Sequence, residues 1–338
     1  MYLFIPILRL LLIFLVPAIS SAQLQRFEYS ANKMGAPFSL ILYHTDSVQA
    51  RQAAVDCFRL VDSLERIFSD YSGESETGRF NARPDTGLFP VSVPLFQLLL
   101  ASQQAWKKSR GSFDVTIGRL SQLWRKARQA NQFPAPDAVA AAKSQTGFAG
   151  LVLLPARQAV RRQLPGLQLD FGGIVPGYVA DEVIRFLHQK NIHQALVDAS
   201  GDIVVSDPPP GKPGWSIAIN KPESEDETWE QKLLLSNAAV STSGDLYRYL
   251  LHDGKKYSHI IDPKTGYGLT SLRNVTVIAS SGIGADWLAT ACSVLEPGAA
   301  RKLAKKNKAG LFIAIAGDDK VRIYKNRKFE LYFQNDSR

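Results

Sequence analysis

Apolar positions follow a helical spacing in the first half of the chain. They recur every three or four residues over 47–69 and again over 95–108, so both segments are predicted to be amphipathic helices. The polar segment 68–81 between them carries turn residues and predicts a loop. Pro134 and Pro136 suit no helix interior and predict a chain break.

Beyond Gly150 the period changes to two, which is typical of strands. Helices interrupt this pattern at 177–189 and 285–295. Because helices and strands are interspersed without a regular βαβ alternation, the predicted fold class is α+β rather than a doubly wound sheet. The predicted strands are 38–44, 151–154, 159–162, 167–170, 195–198, 203–205, 215–220, 232–235, 275–279, 311–315, 321–324 and 330–333.

The first 22 residues differ from the rest of the chain. A short apolar run, LLLIFLVPAI, follows Arg9, and small residues precede a cut after Ala22. This arrangement is typical of a secretory signal peptide. A membrane anchor is the alternative, although the run is short for a span of about 20 residues. We therefore expect an exported, periplasmic protein, held at the inner membrane if the signal stays uncleaved.

The chain of 338 residues has a net charge of +9. A basic balance can indicate nucleic-acid binding, but the cations are scattered, and the run KLAKKNK over 302–308 is typical of the solvated face of a helix. No nucleic-acid partner is expected. Cys57 and Cys292 lie far apart in apolar helical contexts, so we predict neither a disulfide framework nor a zinc site and assign both a structural role.

The segment LDFGGIVPGY over 169–178 reads as a strand end, a glycine turn and a helix start. Exposed N–H groups at a helix start bind anions such as phosphates, and bare glycines let a carbonyl oxygen reach a metal. An ordinary glycine turn before a helix is the alternative.

Three further segments combine small residues with polar ones. DASGD over 198–202 is a tight turn between two strands. STSGD over 241–245 either caps a helix or holds phosphate oxygens. In the segment 257–266, His259 precedes a proline turn and is suited to proton transfer at neutral pH, unless it is a structural histidine.

Asp286 and Thr290 lie four residues apart, so on a helix they share one face. A carboxylate and a hydroxyl in this arrangement can both bind a hard cation such as Mg²⁺. The alternative is a capping aspartate beside a threonine bonded to its own helix backbone.

The order and spacing of these segments are more specific than any one of them. Together with FSDY over 68–71, SE over 75–76, RFN over 79–81, GSFDVTIG over 111–118 and LW over 123–124, they resemble the FAD:protein FMN transferase family, also called ApbE-like proteins. The resemblance runs from about Met34 to about Leu295. It implies a two-lobed α+β architecture with FAD in a cleft between the lobes, within a domain spanning 23–338.

The resemblance also implies the site residues. The FAD site would be lined by Met34, Tyr71, Ser112, Phe113, Asp114, Asp170, Ile261 and the turn around Pro176. Magnesium would bind the Asp286 carboxylate, the Thr290 hydroxyl and the Gly173 carbonyl. FMN would pass from FAD to a threonine or serine hydroxyl of an acceptor flavoprotein, such as a membrane redox-complex subunit, and AMP would leave. His259 is the candidate for the acceptor's proton.

Two positions depart from the family pattern. Pro176 stands where the family usually has lysine, so a cation and a backbone N–H near FAD are lost. Ser200 stands where the family usually has glycine, a milder change. Two alternatives follow: a periplasmic FAD pyrophosphatase that yields FMN and AMP, and a non-enzymatic flavin-binding protein.

Overall fold

An antiparallel sheet of eight strands forms the centre of the computed structural model, which describes residues 23–219, 229–244, 249–317 and 321–333. The strands of the described residues are β1 (Gln25–Lys33), β2 (Ala36–His44), β3 (Gly87–Pro90), β4 (Leu151–Leu154), β5 (Ala159–Arg162), β6 (Ala195–Ala199), β7 (Asp202–Val205), β8 (Trp215–Ile217), β9 (Leu233–Leu235), β10 (Ala238–Gly244), β11 (Tyr249–His252), β12 (Lys255–Ser258), β13 (Arg273–Ala279), β14 (Gly310–Ile315) and β15 (Arg322–Lys325). The order across the large sheet is β1-β2-β6-β7-β10-β13-β14-β15.

Several helices cover one face of this sheet, whereas Phe329 of the last helix packs in the core on the other face. Those in the described part of the chain are α1 (Ser47–Phe68), α2 (Glu76–Ala82), α3 (Val93–Ser109), α4 (Gly118–Ala130), α5 (Pro136–Ser144), α6 (Val175–Gln189), α7 (Gly282–Val294), α8 (Pro297–Lys306) and α9 (Arg327–Glu330). Three smaller antiparallel sheets accompany them: β3-β5-β4, β8-β9 and β11-β12. This combination confirms the α+β class.

Alternation along the strands places apolar side chains on both faces of the large sheet. In β14, Leu311 and Ile313 pack into the helix-covered core, whereas Phe312 and Ala314 pack with the β8–β9 pair on the other face. Because successive side chains of a strand point to opposite faces, one sheet supports two cores.

A third apolar cluster joins α4 and α5 to the β11–β12 hairpin. Its centre is Trp124, which is fully buried and donates from its indole N–H to the carbonyl of Gly266 at 2.8 Å. Tyr257 stacks on the indole with ring centroids 5.8 Å apart. These contacts fix the hairpin against α4.

The long periodic segments of the sequence form the predicted elements, and three short predictions are wrong. Part of 68–81 is helix α2, because Ser75 caps it by accepting a hydrogen bond from Gly78 N–H at 2.7 Å. Segment 241–244 belongs to strand β10 and is no helix cap. Segment 330–333 follows helix α9 and contributes only a bridge at Phe333.

Two further strands differ between the sequence pattern and the structure. Strand β1, which the sequence pattern missed, pairs along its full length with β2. Segment 167–170 is reduced to a bridge between Gln168 and Ile117. Predictions for 1–22 and for Asn220 and Asp245 lie outside the described residues. No helix in the described ranges is long and apolar enough to cross a membrane.

Both cysteines are buried and free. Burial raises the pKa of the Cys57 thiol and of the Cys292 thiol to about 12. Thiols of this kind are unreactive at neutral pH, in agreement with their structural assignment.

Candidate functional site

The site begins where α6 crosses α7 at two glycines. A Cβ at Gly177 would lie 2.2 Å from the carbonyl oxygen of Gly282, and a Cβ at Gly282 would lie 2.3 Å from the carbonyl oxygen of Gly177. Any side chain at either position would therefore force the helices apart. The glycine after Pro176 is needed for this close packing.

The close crossing places Asp286 of α7 against the first turn of α6. Asp286 is buried, and its Oδ2 accepts a hydrogen bond from the N–H of Gly177 at 3.0 Å. Asp181 of α6 bonds in the other direction: its two oxygens accept from Gly282 N–H at 2.7 Å and from Ile283 N–H at 2.9 Å. Asp181 thus satisfies the free N–H groups at the start of α7.

Gly173, in the turn before α6, lies directly against Thr290. A Cβ at Gly173 would lie 2.6 Å from Thr290 Oγ1, closer than real atoms approach. Thr290 follows Asp286 by one turn of α7. The structure therefore brings together the three residues predicted to bind metal: a carbonyl, a hydroxyl and a carboxylate.

A second carboxylate lies close enough to act on Asp286. Burial raises the pKa of Asp286 well above its usual value, and the charge of Asp202 raises it further. Burial likewise raises the pKa of Asp202 to about 7, although a hydrogen bond with Ser241 opposes the shift. A cation bound at Asp286 would offset the repulsion between the two carboxylates, so their proximity favours cation binding.

The donors around Asp286 fit Mg²⁺, which prefers oxygen ligands and keeps several waters. Among the residues described, no group of three or more His, Cys, Asp or Glu side chains is spaced to hold a metal ion. A site here would consequently use one carboxylate together with the Thr290 hydroxyl and the Gly173 carbonyl. Glycine at 173 suits this role because any side chain would displace the hydroxyl.

The GSFD segment runs beside the extended segment 167–170 that leads to the site. Asp170 N–H donates to the carbonyl of Val115 at 2.8 Å. Asp114 is buried, and its oxygens accept from Thr116 N–H at 2.8 Å, from the Thr116 hydroxyl at 2.6 Å and from Phe148 N–H at 3.1 Å. Both Asp114 oxygens thus bond to the protein itself and stabilise the loop.

Ser112 and Phe113 are also buried. The Phe113 ring packs edge-to-face on Trp287, with centroids 6.2 Å apart. Because Trp287 follows Asp286 directly, this contact places the GSFD loop beside α7. Asp170, by contrast, is only partly buried, and its Oδ1 accepts from the N–H of Gly172 at 2.8 Å.

Tyr71 and Met34 lie at the surface near the C-terminal end of α1. Tyr71 is 75% exposed and lies beside Arg125 of α4. Met34 is half-buried at the tip of the β1–β2 hairpin with a φ of 54°, and its N–H donates to Glu65 at 3.3 Å. The pairing with α1 fixes this hairpin tip.

His259 and Ile261 lie directly after β12, on the hairpin fixed by Trp124. The His259 side chain is half-buried, whereas the Ile261 side chain is buried in the cluster around Trp124 and its backbone pairs with Gly268. The Ile261 side chain is therefore not exposed to a ligand. Any effect of Ile261 on binding would pass through the residues packed around it.

Pro176 occupies the first turn of α6 and is half-buried. The first N–H groups of a helix have no partner within it, so proline is tolerated here without loss of a helical hydrogen bond. The neighbouring Gly177 N–H remains available for Asp286.

The sequence pattern missed three residues that shape the site. Asp202 was assigned only to a turn, although it acts on Asp286. Arg125 lies in none of the motifs identified in the sequence. Asn81 fixes the segment before Asp170, since its side-chain amide donates to the Leu169 carbonyl at 2.8 Å and its oxygen accepts from the Leu169 N–H at 2.7 Å. The RFN motif was a usable signal for Asn81.

Comparison with solved structures gives the class to which this fold belongs. The flavin transferase ApbE from Vibrio cholerae is similar with a TM-score of 0.81 and 25% identity, covering 92% of this chain and 100% of that chain. The apo form of the flavinyl transferase ApbE from Pseudomonas stutzeri gives a TM-score of 0.81 and 27% identity, covering 92% and 98%. The fold is that of the flavin transferases.

Sequence comparison gives the family. The profile of the ApbE family matches residues 34–314. A protein of Klebsiella pneumoniae (strain 342) named FAD:protein FMN transferase is 29% identical over 305 residues, covering 88% of this chain and 87% of its own length. A second protein of that name and strain is 31% identical over 261 residues, covering 77% and 79%. The chain belongs to the ApbE family, and at family level it is a flavin-transferring enzyme.

Proposed function

We propose that this chain transfers FMN from FAD to a threonine or serine hydroxyl of an acceptor flavoprotein and releases AMP, with Mg²⁺ as the required metal. The observation that carries the proposal is the meeting of Gly173, Asp286 and Thr290 beside Asp202. It occurs in a chain whose curated relatives are named FAD:protein FMN transferases.

In this proposal the Asp286 carboxylate, the Thr290 hydroxyl and the Gly173 carbonyl hold the metal. Bound Mg²⁺ supplies positive charge to the phosphates and to the leaving AMP. Gly177 orients the Asp286 carboxylate through its N–H, and the start of α6 offers further backbone N–H groups to anionic oxygen atoms.

The dinucleotide would lie along the surface between the metal residues and Tyr71. Tyr71 and Met34 provide an aromatic face and a soft apolar one for a flat ring. Asp170 has one oxygen free of the Gly172 bond and can accept from a ribose or adenine group. The buried residues act indirectly, by shaping the wall of the site; they are Ser112, Phe113, Asp114 and Ile261.

The reaction forms one bond and breaks one. The acceptor hydroxyl oxygen attacks the FMN phosphorus, and the phosphorus–oxygen bond to AMP breaks, so AMP leaves with the electron pair. His259 takes the proton of the hydroxyl in this proposal, because it lies half-buried at the end of β12 and an imidazole is a common general base. Most of the rate enhancement would come from positioning and charge neutralisation.

The test is incubation of the purified chain with FAD, Mg²⁺ and candidate exported acceptors. Flavin fluorescence of the acceptor band after denaturing electrophoresis, with AMP measured by chromatography, supports the transfer. Loss of both signals in Asp286→Asn would assign them to this site. Free FMN and AMP without a labelled acceptor would instead support an FAD pyrophosphatase. FAD binding without turnover would support a non-enzymatic flavin-binding protein.

We also propose that the protein is exported and begins near Gln23 when mature. The support is the apolar run before Ala22, which lies outside the described residues. N-terminal sequencing of protein from the envelope fraction tests this: a sequence starting at Met1 would contradict cleavage and leave membrane attachment as the explanation for its location.

A further inference from the structure

Tyr71 is an exposed aromatic side chain that is nevertheless fixed in place. Its side chain is 75% exposed, yet the guanidinium carbon of Arg125 lies 3.7 Å from the ring centroid. This distance is well inside the range of a cation–π contact. One face of the ring is therefore covered by a cation, and the other is available to solvent or to a ligand.

Arg125 is itself well anchored. Its Nη2 lies 2.7 Å from Oδ2 of Asp70, and the side chains of Arg125 and Asp70 are only 21% and 9% exposed. The preceding residue of α4, Trp124, is fully buried and bonded to Gly266. The Tyr71 ring is thus held against a residue that a helix and a largely buried ion pair keep in place.

This arrangement lies beside the turn that leads to the metal residues. The Phe68 ring, two residues before Asp70, packs edge-to-face on Phe171, which follows Asp170, with ring centroids 6.3 Å apart. Burial and the negative charge of Asp170 together raise the pKa of Asp70 to about 6. Asp170 precedes Gly173 by three residues. The open face of Tyr71 therefore borders the surface on which FAD is proposed to lie, and Arg125 brings a cation to two carboxylates.

We infer that Arg125 is a positioning residue for FAD: it holds the Tyr71 ring from behind as a fixed stacking surface, and its charge offsets the repulsion between Asp70, Asp170 and an anionic dinucleotide. The inference rests on the proposed function, because it takes FAD as the ligand. It predicts that Arg125 governs binding of FAD and leaves the chemical step nearly unchanged.

The test compares Arg125→Ala and Arg125→Lys with a matched control, Lys126→Ala, which removes an exposed cation from the next position of α4. FAD is titrated by flavin fluorescence, and Kd, KM and kcat are determined. Losing a charged hydrogen bond and a cation–π contact should weaken FAD binding about 10- to 50-fold in Arg125→Ala. We expect kcat to change less than about threefold. Arg125→Lys should recover part of the affinity, because it restores the charge but lacks the planar fork.

A double-mutant cycle with Tyr71→Leu tests whether Arg125 acts through the ring. If it does, Arg125→Ala should weaken binding much less in the Tyr71→Leu background than in the wild type. Equal effects in the two backgrounds would overturn the stacking role. Unchanged or tighter binding by Arg125→Ala would overturn the inference, since a cation that blocks the stacking face would give tighter binding when removed.

The outcomes separate this inference from the proposed function. Absence of FAD binding by the wild-type chain would contradict the proposed function itself. Binding by the wild type with equal affinities for Arg125→Ala and Lys126→Ala would contradict only the role of Arg125. Thermal unfolding of each variant shows whether it is folded, and if Arg125→Ala is unfolded, Arg125→Lys and Tyr71→Leu carry the comparison.

Discussion

The N–H of Gly177 donates to the Asp286 carboxylate at 3.0 Å and so joins the first turn of α6 to α7. The two residues are far apart in the chain, and the bond exists because the helices cross at bare glycines. It orients a buried carboxylate whose charge is opposed by burial and by Asp202. Three of the five predictions below test this crossing and the metal site beside it.

Asp286→Asn should abolish magnesium-dependent turnover while the protein stays folded. The amide keeps the shape of the side chain but binds Mg²⁺ poorly, so we expect activity to fall more than about 100-fold, beyond the typical cost of removing a residue that only supports a ligand. Burial disfavours the charged carboxylate when no metal is bound. The melting temperature of the variant without Mg²⁺ should therefore equal or exceed that of the wild type. Normal magnesium-dependent activity of this variant would contradict the metal assignment.

Gly173→Ala should impair metal use more than stability. The added Cβ would lie 2.6 Å from the Thr290 hydroxyl and must displace it. We expect the Mg²⁺ concentration for half-maximal activity to rise about tenfold or more, with a loss of about 1–3 kcal/mol in the free energy of unfolding. Gly73→Ala is the control, since nothing lies within 4 Å of its Cβ. Equal magnesium dependence of both variants would argue against a role for Thr290 and Gly173.

Gly282→Ala should destabilise the fold. Its Cβ would meet the Gly177 carbonyl oxygen at 2.3 Å and Val204 at 2.7 Å, so α6 and α7 must separate. We expect a loss of about 3 kcal/mol, at the upper end of the usual cost of overpacking, measured by urea unfolding. Gly298→Ala, whose Cβ meets nothing within 4 Å, should be neutral or slightly stabilising. Similar free energies of unfolding for the two variants would show that α6 and α7 can shift enough to accommodate the added Cβ.

Asp70 should make stability fall as the pH rises through about 6. Burial raises its folded pKa to about 6, above the usual value of 3.8. The folded state therefore binds a proton more tightly than the unfolded state, and the group adds stability as the pH falls. Between pH 7 and pH 5 the wild type should gain roughly 1 kcal/mol relative to Asp70→Asn, measured by urea unfolding. If the difference in the free energy of unfolding between the wild type and Asp70→Asn stays constant with pH, the raised pKa of Asp70 is contradicted.

Pro176→Lys should tighten FAD binding if position 176 faces the ligand. Lysine restores a cation and an N–H donor at the start of α6, and a hydrogen bond to a charged group is worth about 1.5–3 kcal/mol, or roughly tenfold to a hundredfold in affinity. Losing the rigid proline would lower stability by about 1 kcal/mol or less. Titration of both proteins with FAD decides the matter. Equal or weaker binding would mean that the family's lysine role does not extend to this chain.

The sequence pattern was reliable where an element buries one regular face. The helix predicted over 47–69 is α1, and the strands predicted around 197 and 313 lie in the central sheet, because helical and alternating spacings persist over many residues. It failed at short or polar elements. Helix α2 has only seven residues and depends on the Ser75 cap, and strand β1 is partly exposed along its length.

The sequence by itself determined the α+β class, the family and the residues that share a local surface, such as Asp286 and Thr290 on one helical face. Only the tertiary structure decided which of these surfaces meet. Asp202 acts on Asp286, and Arg125 pairs with Asp70 across 55 residues, because sheet pairing and helix crossing bring them together. Local spacing fixes the direction in which a side chain points from its own element. The partner that it meets depends on packing between distant segments, which no short stretch of sequence encodes.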